Sequence, residues 1–258
     1  PFLSWEHFNI PGLFHLFASP ASINLFTIGL FSVVIIPLVV IAYAGIKMLI
    51  KFKANDKLLL LTLLFAWILG LFLIVGSVLF EGKNFTSKEV VKEKFDLGAQ
   101  YHKLYLQLNE LSFEENEIYL TDDDCIIIKK DDGEQEMFIK PQIDIQKSYT
   151  DDYEIILTKS ARGKDRNSAE ENAKSINYSW MQRDSSIILN SFFSINSDAK
   201  WRVPQLRIII KVPEGKEIFI ADELEDLLYD VENVDHLWDS EMGNQSYKML
   251  PQGLKKTE

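Results

Sequence analysis

The chain has 258 residues, 47% of them hydrophobic, with 27 Lys and Arg against 38 Asp and Glu. A mean hydropathy of -0.02 hides two unlike parts, because residues 1 to 80 hold only six of the acidic and basic residues: Glu6, Lys47, Lys51, Lys53, Asp56 and Lys57. The first part is therefore +2 and residues 81 to 258 carry -13. Long charge-free apolar runs exclude a wholly soluble globule, and a domain at -13 argues against nucleic acid as a partner.

Residues 1 to 20 hold Trp5, Phe2, Phe8, Phe14 and Phe17 with breaks at Pro11 and Pro20, and they read as an interfacial segment whose aromatic rings prefer the headgroup level. The chain starts at Pro1 without an initiator Met, so an upstream portion is expected. Residues 21 to 80 read as a transmembrane hairpin. Its first span, 21 to 46, is free of charge and about 39 Å long as a helix, and its second, 58 to 80, is about 35 Å, against roughly 30 Å of hydrocarbon. The loop 47 to 57 holds four Lys and one Asp, the composition the positive-inside rule keeps in the cytoplasm, which puts both flanks outside. Pro37 lies mid-span and leaves the Val33 carbonyl without its helical donor, so a kink or local rearrangement is expected there. Neither span contains an acid, a base or a His, which speaks against an ion pathway or proton relay.

Residues 81 to 96 read as a polar linker or short helix, and residues 97 to 258 as a β-rich, mainly antiparallel domain outside the membrane. Leu104, Leu106 and Leu108 alternate with polar residues, and β-rich runs recur at 117–121, 125–129, 136–140, 143–147, 153–159, 178–182, 186–190, 206–212 and 217–221, too many for a parallel sheet with crossover helices. Asp131-Asp132-Gly133 and Pro213-Glu214-Gly215-Lys216 read as hairpin turns. Ser168-Ala169-Glu170-Glu171 has the form of a capping box and predicts a short helix from Ser168 to Ser175. Between Asp222 and Met242, apolar residues embedded in acids fit either short helical turns or irregular edge strands.

Lys159, Arg162, Lys164 and Arg166 form one basic cluster in this acidic domain, and a strand-to-helix reading places all four in a single loop. Such a cluster could meet anionic headgroups or an acidic partner, or could be a solvated loop that balances neighbouring acids. Cys125 is the only cysteine, so no internal disulfide can form, and its place before Ile126-Ile127-Ile128 reads as a buried strand position. His7, His15, His102 and His236 share no metal-ligand spacing. No Gly-x-Ser-x-Gly elbow or phosphate-cradling glycine loop occurs. No catalytic, cofactor or metal residue is expected, and an enzyme is not the reading favoured.

Several stretches carry a family resemblance. Ser160-Ala161-Arg162-Gly163-Lys164, Ala173 with Ile176-Asn177-Tyr178, Trp201-Arg202, Val212-Pro213-Glu214-Gly215-Lys216 and Asn233-Val234-Asp235-His236-Leu237-Trp238-Asp239 resemble the extracytoplasmic region of Bacteroidota-type PspC-domain proteins. Ile41-Ala42-Tyr43-Ala44-Gly45-Ile46-Lys47 and Phe52-Lys53-Ala54 are similar to that family's membrane part. The resemblance implies a bacterial inner-membrane protein with a periplasmic β-rich domain and a phage-shock-like role in envelope stress, and it brings no catalytic residues. Function is then expected to be that of a non-enzymatic interaction module. A structural accessory subunit of a larger membrane complex is the alternative, and an envelope hydrolase a further one. The expected partners are the lipid bilayer and a membrane protein or further copies of the chain, with no cofactor.

Overall fold

The structure is a computed structural model that describes residues 18–257 except 51–55, 99, 112–117, 123, 130–134 and 196–199. The chain divides into two units, Pro1–Thr86 and Ser87–Glu258. In the first, helix α1 (Pro20–Ile50) is followed by helix α2 (Asp56–Gly82) and a 3-10 turn at Lys83–Phe85. The helices overrun the expected spans and take in both ends of the expected loop. Asp56 stabilises that extension, since its carboxylate pairs with Lys47 and accepts from the Tyr43 hydroxyl at 2.7 Å. The expected interfacial segment lies, up to residue 17, outside the described residues, as does the middle of the loop, 51 to 55.

Within the hairpin the usual order of side chains is reversed. Its buried residues are small, Ser22 and Gly29 in α1 and Gly70 and Ser77 in α2, while Phe31, Leu38, Ile41, Phe65, Phe72 and Leu79 are exposed. Lipid-facing helices show this arrangement, because hydrocarbon gives large apolar groups no reason to turn inward and close packing favours small ones. A Cβ on Gly29 would come within 2.7 Å of the Gly70 carbonyl oxygen and one on Gly70 within 2.8 Å of Ser32 Cβ, so both positions need glycine for the approach. The carbonyl freed by Pro37 is answered from the other helix, where Trp67 donates its indole N–H to Val33 at 3.2 Å. A buried carbonyl in hydrocarbon must find such a donor, and here it ties the helices together.

The second unit begins with β1 (Ser87–Gly98), β2 (Lys103–Asn109), β3 (Ile118–Asp122), β4 (Cys125–Lys129), β5 (Gln135–Ile139), β6 (Gln142–Lys147) and β7 (Tyr153–Gly163). It continues with helix α3 (Arg166–Lys174), β8 (Ile176–Asn177), β9 (Trp180–Arg183), β10 (Ser186–Asn190), β11 (Phe193–Ile195), β12 (Gln205–Val212), β13 (Glu217–Ile220), β14 (Gln245–Leu250) and β15 (Gly253–Lys256). They form three sheets: β1-β7-β12-β6, β15-β14-β13-β2-β10-β9 and β3-β4-β5-β11-β8. Pairing is mainly antiparallel, as the alternation predicts, but β10 with β2, β12 with β6 and β13 with β2 are parallel. The core follows from period-two burial. Ile143, Ile155, Ile208 and Ile210 of the first sheet and Leu104, Leu106, Ile187 and Ile218 of the second are fully buried. The Tyr153 hydroxyl of the first sheet reaches the carbonyls of His102 and Glu217 beside the second, at 3.1 and 2.8 Å, and burial pushes its pKa up.

Four expectations need correction. Residues 87 to 96 are strand β1 and not a linker, paired antiparallel with β7 from Ser87 opposite Gly163 to Asp96 opposite Glu154. The short helix begins two residues early, at Arg166, and its cap is Asp165 instead of Ser168: the Asp165 carboxylate accepts from the Ser168 N–H and hydroxyl, both at 2.8 Å. Asp is as good an N-cap as Ser, and its position sets the start. Pro213 to Lys216 does form a turn, with Lys216 N donating to the Pro213 carbonyl at 3.1 Å and Gly215 at φ 82°, but it joins β12 and β13, which belong to different sheets. Cys125 starts β4 as expected, half-exposed and not buried. The Asp131 turn lies outside the described residues. Between Asp222 and Met242 the helical alternative holds in part, as 3-10 turns at Asp222–Leu227 and Asp239–Glu241.

Candidate interaction surface

β7 decides where the four expected basic residues go. Its odd positions Tyr153, Ile155, Leu157 and Ala161 face the core, each at most 2% exposed, and Lys159 shares their parity, opposite Leu206 of β12. Burying an ammonium requires a partner, which Glu93 of β1 supplies, with 2.7 Å between Nζ and Oε1. Arg166, at the start of α3, reaches Glu89, also on the inner side of β1, at 3.4 Å. Lys164 is exposed in the turn before α3. Arg162 is on an even position of β7 and so belongs to the opposite, outer face of the sheet. The four residues therefore span a strand end, a turn and a helix start, on two sides of the sheet, and the single basic loop does not exist.

The helix packs where it does because of Gly163: any Cβ there would collide with the backbone of Ala169, and Ala169 and Ala173, on the packed side of α3, are fully buried. Asn172 donates to the Arg162 carbonyl at 2.8 Å, so this joint is held by close packing and a hydrogen bond.

A different basic surface emerges from register. Antiparallel and parallel partners on one face line up across β1, β7, β12 and β6, and the outer face then carries Lys88, Lys92 and Lys94, Arg162, and Arg207 and Lys211 against Asp96, Glu154 and Asp144. Six bases to three acids make this face net positive in a domain that is strongly negative. Lys94 meets Glu154 at 2.9 Å and Asp96 at 3.8 Å; its pKa is raised, first by the hydrogen bond to Glu154. Arg207 meets the 2%-exposed Asp144 carboxylate at 2.9 Å and lies over the Tyr229 ring at 5.4 Å. Burial pushes the Asp144 carboxyl above its ordinary range, with the Gln146 hydrogen bond and the Arg207 charge opposing it. Lys88 and Lys211 donate to the amide oxygens of Gln205 and Gln146 at 3.1 and 2.6 Å, contacts that leave their charge uncancelled. Among these groups half-buried Ile156 and Ile209 are paired neighbours, and exposed Val90, opposite Ser160, lies between Lys88 and Lys92. Exposed apolar residues set among bases are a feature of protein-binding patches.

The lysines of β1 are the residues that the sequence reading missed. The signal was present: in Lys88-Glu89-Val90-Val91-Lys92-Glu93-Lys94 the bases are even and the acids odd, a period of two in sign of charge that a hydrophobicity pattern does not register. Among the described residues no group of three or more His, Cys, Asp and Glu could hold a metal ion.

Two long helices with small residues inside and large apolar ones outside, leading into a β-domain, define a membrane-anchored protein with a folded β-rich domain after its hairpin. The chain matches the PspC transmembrane region over residues 2–85 and the Toast-rack domain found in some PspC proteins over residues 128–258. It belongs to this family, as a PspC-like membrane protein with a C-terminal Toast-rack domain. Both are membrane-protein families and not enzyme families. Searches of curated proteins and of solved structures gave no match. The stretch between the two matched regions contains β1 and its lysines.

Proposed function

We propose that the protein is a membrane-anchored, non-catalytic interaction module of the bacterial envelope, acting in a phage-shock-like stress response, with its hairpin in the inner membrane and its β-domain in the periplasm. The observation that carries this reading is a net positive outer face, β1-β7-β12-β6, on a -13 domain joined to a PspC transmembrane region. Charge of one sign gathered on one face selects an acidic counter-surface and speeds encounter with it. The apolar residues Val90, Ile156 and Ile209 interspersed with these bases favour a protein surface over lipid headgroups, because only the former can match their arrangement. The orientation rests on the Lys-rich segment Lys47 to Lys57 between the spans.

Two measurements test this. In a Cys125→Ser chain, an impermeant thiol reagent applied to intact cells from outside the inner membrane should label Ser240→Cys and spare Asn55→Cys; the opposite pattern reverses the topology and removes the periplasmic role. Lys88→Glu with Lys92→Glu should then weaken capture of protein from mildly solubilised membranes, more at low salt than at high salt. Unchanged capture, or loss only of binding to anionic vesicles, would exclude the proposed protein contact.

A further inference from the structure

Residues 222 to 247 contain nine Asp and Glu and no Lys or Arg. Within this stretch Trp238 is 78% exposed, and Val234 nearby is 37% exposed. The segment that carries them is tightly constructed. The Asp239 carboxylate accepts from the backbone of Asp230 and Val231 at 2.8 and 3.1 Å. Asn233 accepts from Leu237 N at 2.7 Å and donates back to the Leu237 carbonyl at 2.9 Å. Glu241 accepts from Trp238 N at 2.9 Å, and Met242 is fully buried below. Asp230 and His236 hold left-handed conformations, φ 59° and 55°, which Asp and His adopt more readily than most residues and which persist where the surroundings over-determine them. A large aromatic ring is thus held outward on a rigid loop with an acidic rim. Ordering has already been met by folding, so a partner gains the ring's apolar area at low entropic cost, the condition for an interface anchor.

The complement of this loop is on the same domain. The outer face of the first sheet offers exposed Val90 between Lys88 and Lys92, with Arg162 opposite Lys88, an apolar residue among bases where the loop sets an apolar ring among acids. The lysines concentrate on β1, an edge of the first sheet, whereas the acidic segment passes the other edge, where Tyr229 N donates to the Ile143 carbonyl of β6 at 2.8 Å, and then runs along β15 of the second sheet, where Val234 N donates to the Leu254 carbonyl at 2.7 Å and Lys256 N to the Asp235 carboxylate at 2.8 Å. Complementary features carried on separate strands, β1 and the segment beside β15, invite association between copies.

Two-fold pairing through β1 is blocked by its own sequence. A two-fold axis normal to the sheet pairs even positions with even ones, and every antiparallel register centred from Lys88 to Lys94 sets Lys opposite Lys or Glu opposite Glu. Like charges directly opposite destabilise a strand pair, and lysines on an edge strand are a known means of preventing such pairing. Head-to-tail contact, in which different surfaces meet, avoids the conflict.

We propose that the Trp238 loop of one copy docks on the Lys88 and Lys92 side of the outer sheet face of the next, assembling the membrane-held chains head to tail. This rests on the reading of that face as a docking surface and names its acidic partner as a second copy. The test uses full chains in their own membrane, all Cys125→Ser and distinguishable by tag. One carries Ser240→Cys and the other Val90→Cys, and a short bismaleimide joins thiols that lie close.

Cross-linking is expected between 240 and 90 and not between like positions. Trp238→Ala should lower its yield roughly tenfold or more, the scale of an anchor residue, with Trp238→Phe retaining part of it and the melting temperature unchanged. Lys92→Glu on one copy should abolish the product, and Glu232→Lys on the other should restore it. Cross-links dominated by like positions, an absence of cross-links, or a yield indifferent to Trp238→Ala would each overturn head-to-tail assembly. If these fail while Lys88→Glu with Lys92→Glu still weakens protein capture from membranes, the face binds a different acidic protein and the functional reading stands. If both fail, the face is not a docking surface.

Discussion

β1 and β7 show one sheet handling charge in two ways. On the inner side, Glu89 and Glu93 meet Arg166 and Lys159, and in the closer pair Lys159 is nearly buried, at 9% side-chain exposure, while Glu93 keeps 39%. On the outer side, Lys88, Lys92 and Lys94 stand exposed at the edge, with fewer acids to meet them. The same strand therefore uses its odd positions to close the domain and its even positions to present charge. Separation of sign by parity lets a single edge strand be both a structural seam and a recognition surface.

That contrast should be largest for apolar neighbours on β12. Ile208 is fully buried and Ile209, one residue on, is half-buried on the outer face. Ile208→Ala is expected to cost about 2–5 kcal/mol through lost burial and the cavity left behind, against roughly 1 kcal/mol for Ile209→Ala. Denaturation of the full chain in detergent, followed by near-ultraviolet circular dichroism, measures both. Equal losses would mean that the outer face is also packed against something within the chain.

A smaller effect separates the two kinds of lysine. Lys159→Ala leaves Glu93 facing a partly closed site without its cation and should cost about 1–3 kcal/mol. Lys159→Met combined with Glu93→Gln, which keeps the packed stem and removes both charges, should come within about 1 kcal/mol of the parent, whereas Lys92→Ala should lie within about 0.5 kcal/mol. If Lys92→Ala destabilised as much as Lys159→Ala, the outer lysines would be structural and the division between faces would collapse.

The same contrast explains what the sequence made legible. The hairpin announced itself because lipid imposes length and apolarity on the residues themselves, and most strands of the β-domain were visible because burial on one side writes alternation into them. β1 escaped because its alternation is between Lys and Glu, both polar, and because an edge strand has little apolar surface to declare. The basic residues at 159, 162, 164 and 166 are close in sequence, yet strand parity sends Lys159 inward and Arg162 outward, and only pairing with β1 reveals that Glu93 awaits the first. The true basic face collects residues from β1, β7 and β12 that are more than 100 positions apart, beyond the reach of any local pattern. Trp238 stood inside a recognised stretch, but its exposure depends on hydrogen bonds made by Asn233 and Asp239.

The smallest expected effect concerns the joint where inner and outer faces part, the turn between β7 and α3. The Ser168 N–H and hydroxyl, donating to Asp165, hold its carboxyl below the usual range. A depressed pKa means that the folded state prefers the ionised form, so the stabilisation is present at neutral pH and is lost as pH falls through the ordinary Asp value, about 3.9, towards the lower folded one. Asp165→Ala should lower the melting temperature slightly at neutral pH and converge on the parent in acid. Asp165→Asn should keep most of the cap without its titration, giving up only the attraction between carboxylate and helix N-terminus. Amide exchange in α3 localises the change, since other carboxylates titrate in the same window. Fraying of the first turn in Asp165→Ala at neutral pH, with β1 exchange unaltered, is the expected pattern. A difference between Asp165→Ala and the parent that persists unchanged into acid would show that the Ser168 contacts do not depend on the charge, and would leave Asp165 as a steric stop to β7 and nothing more.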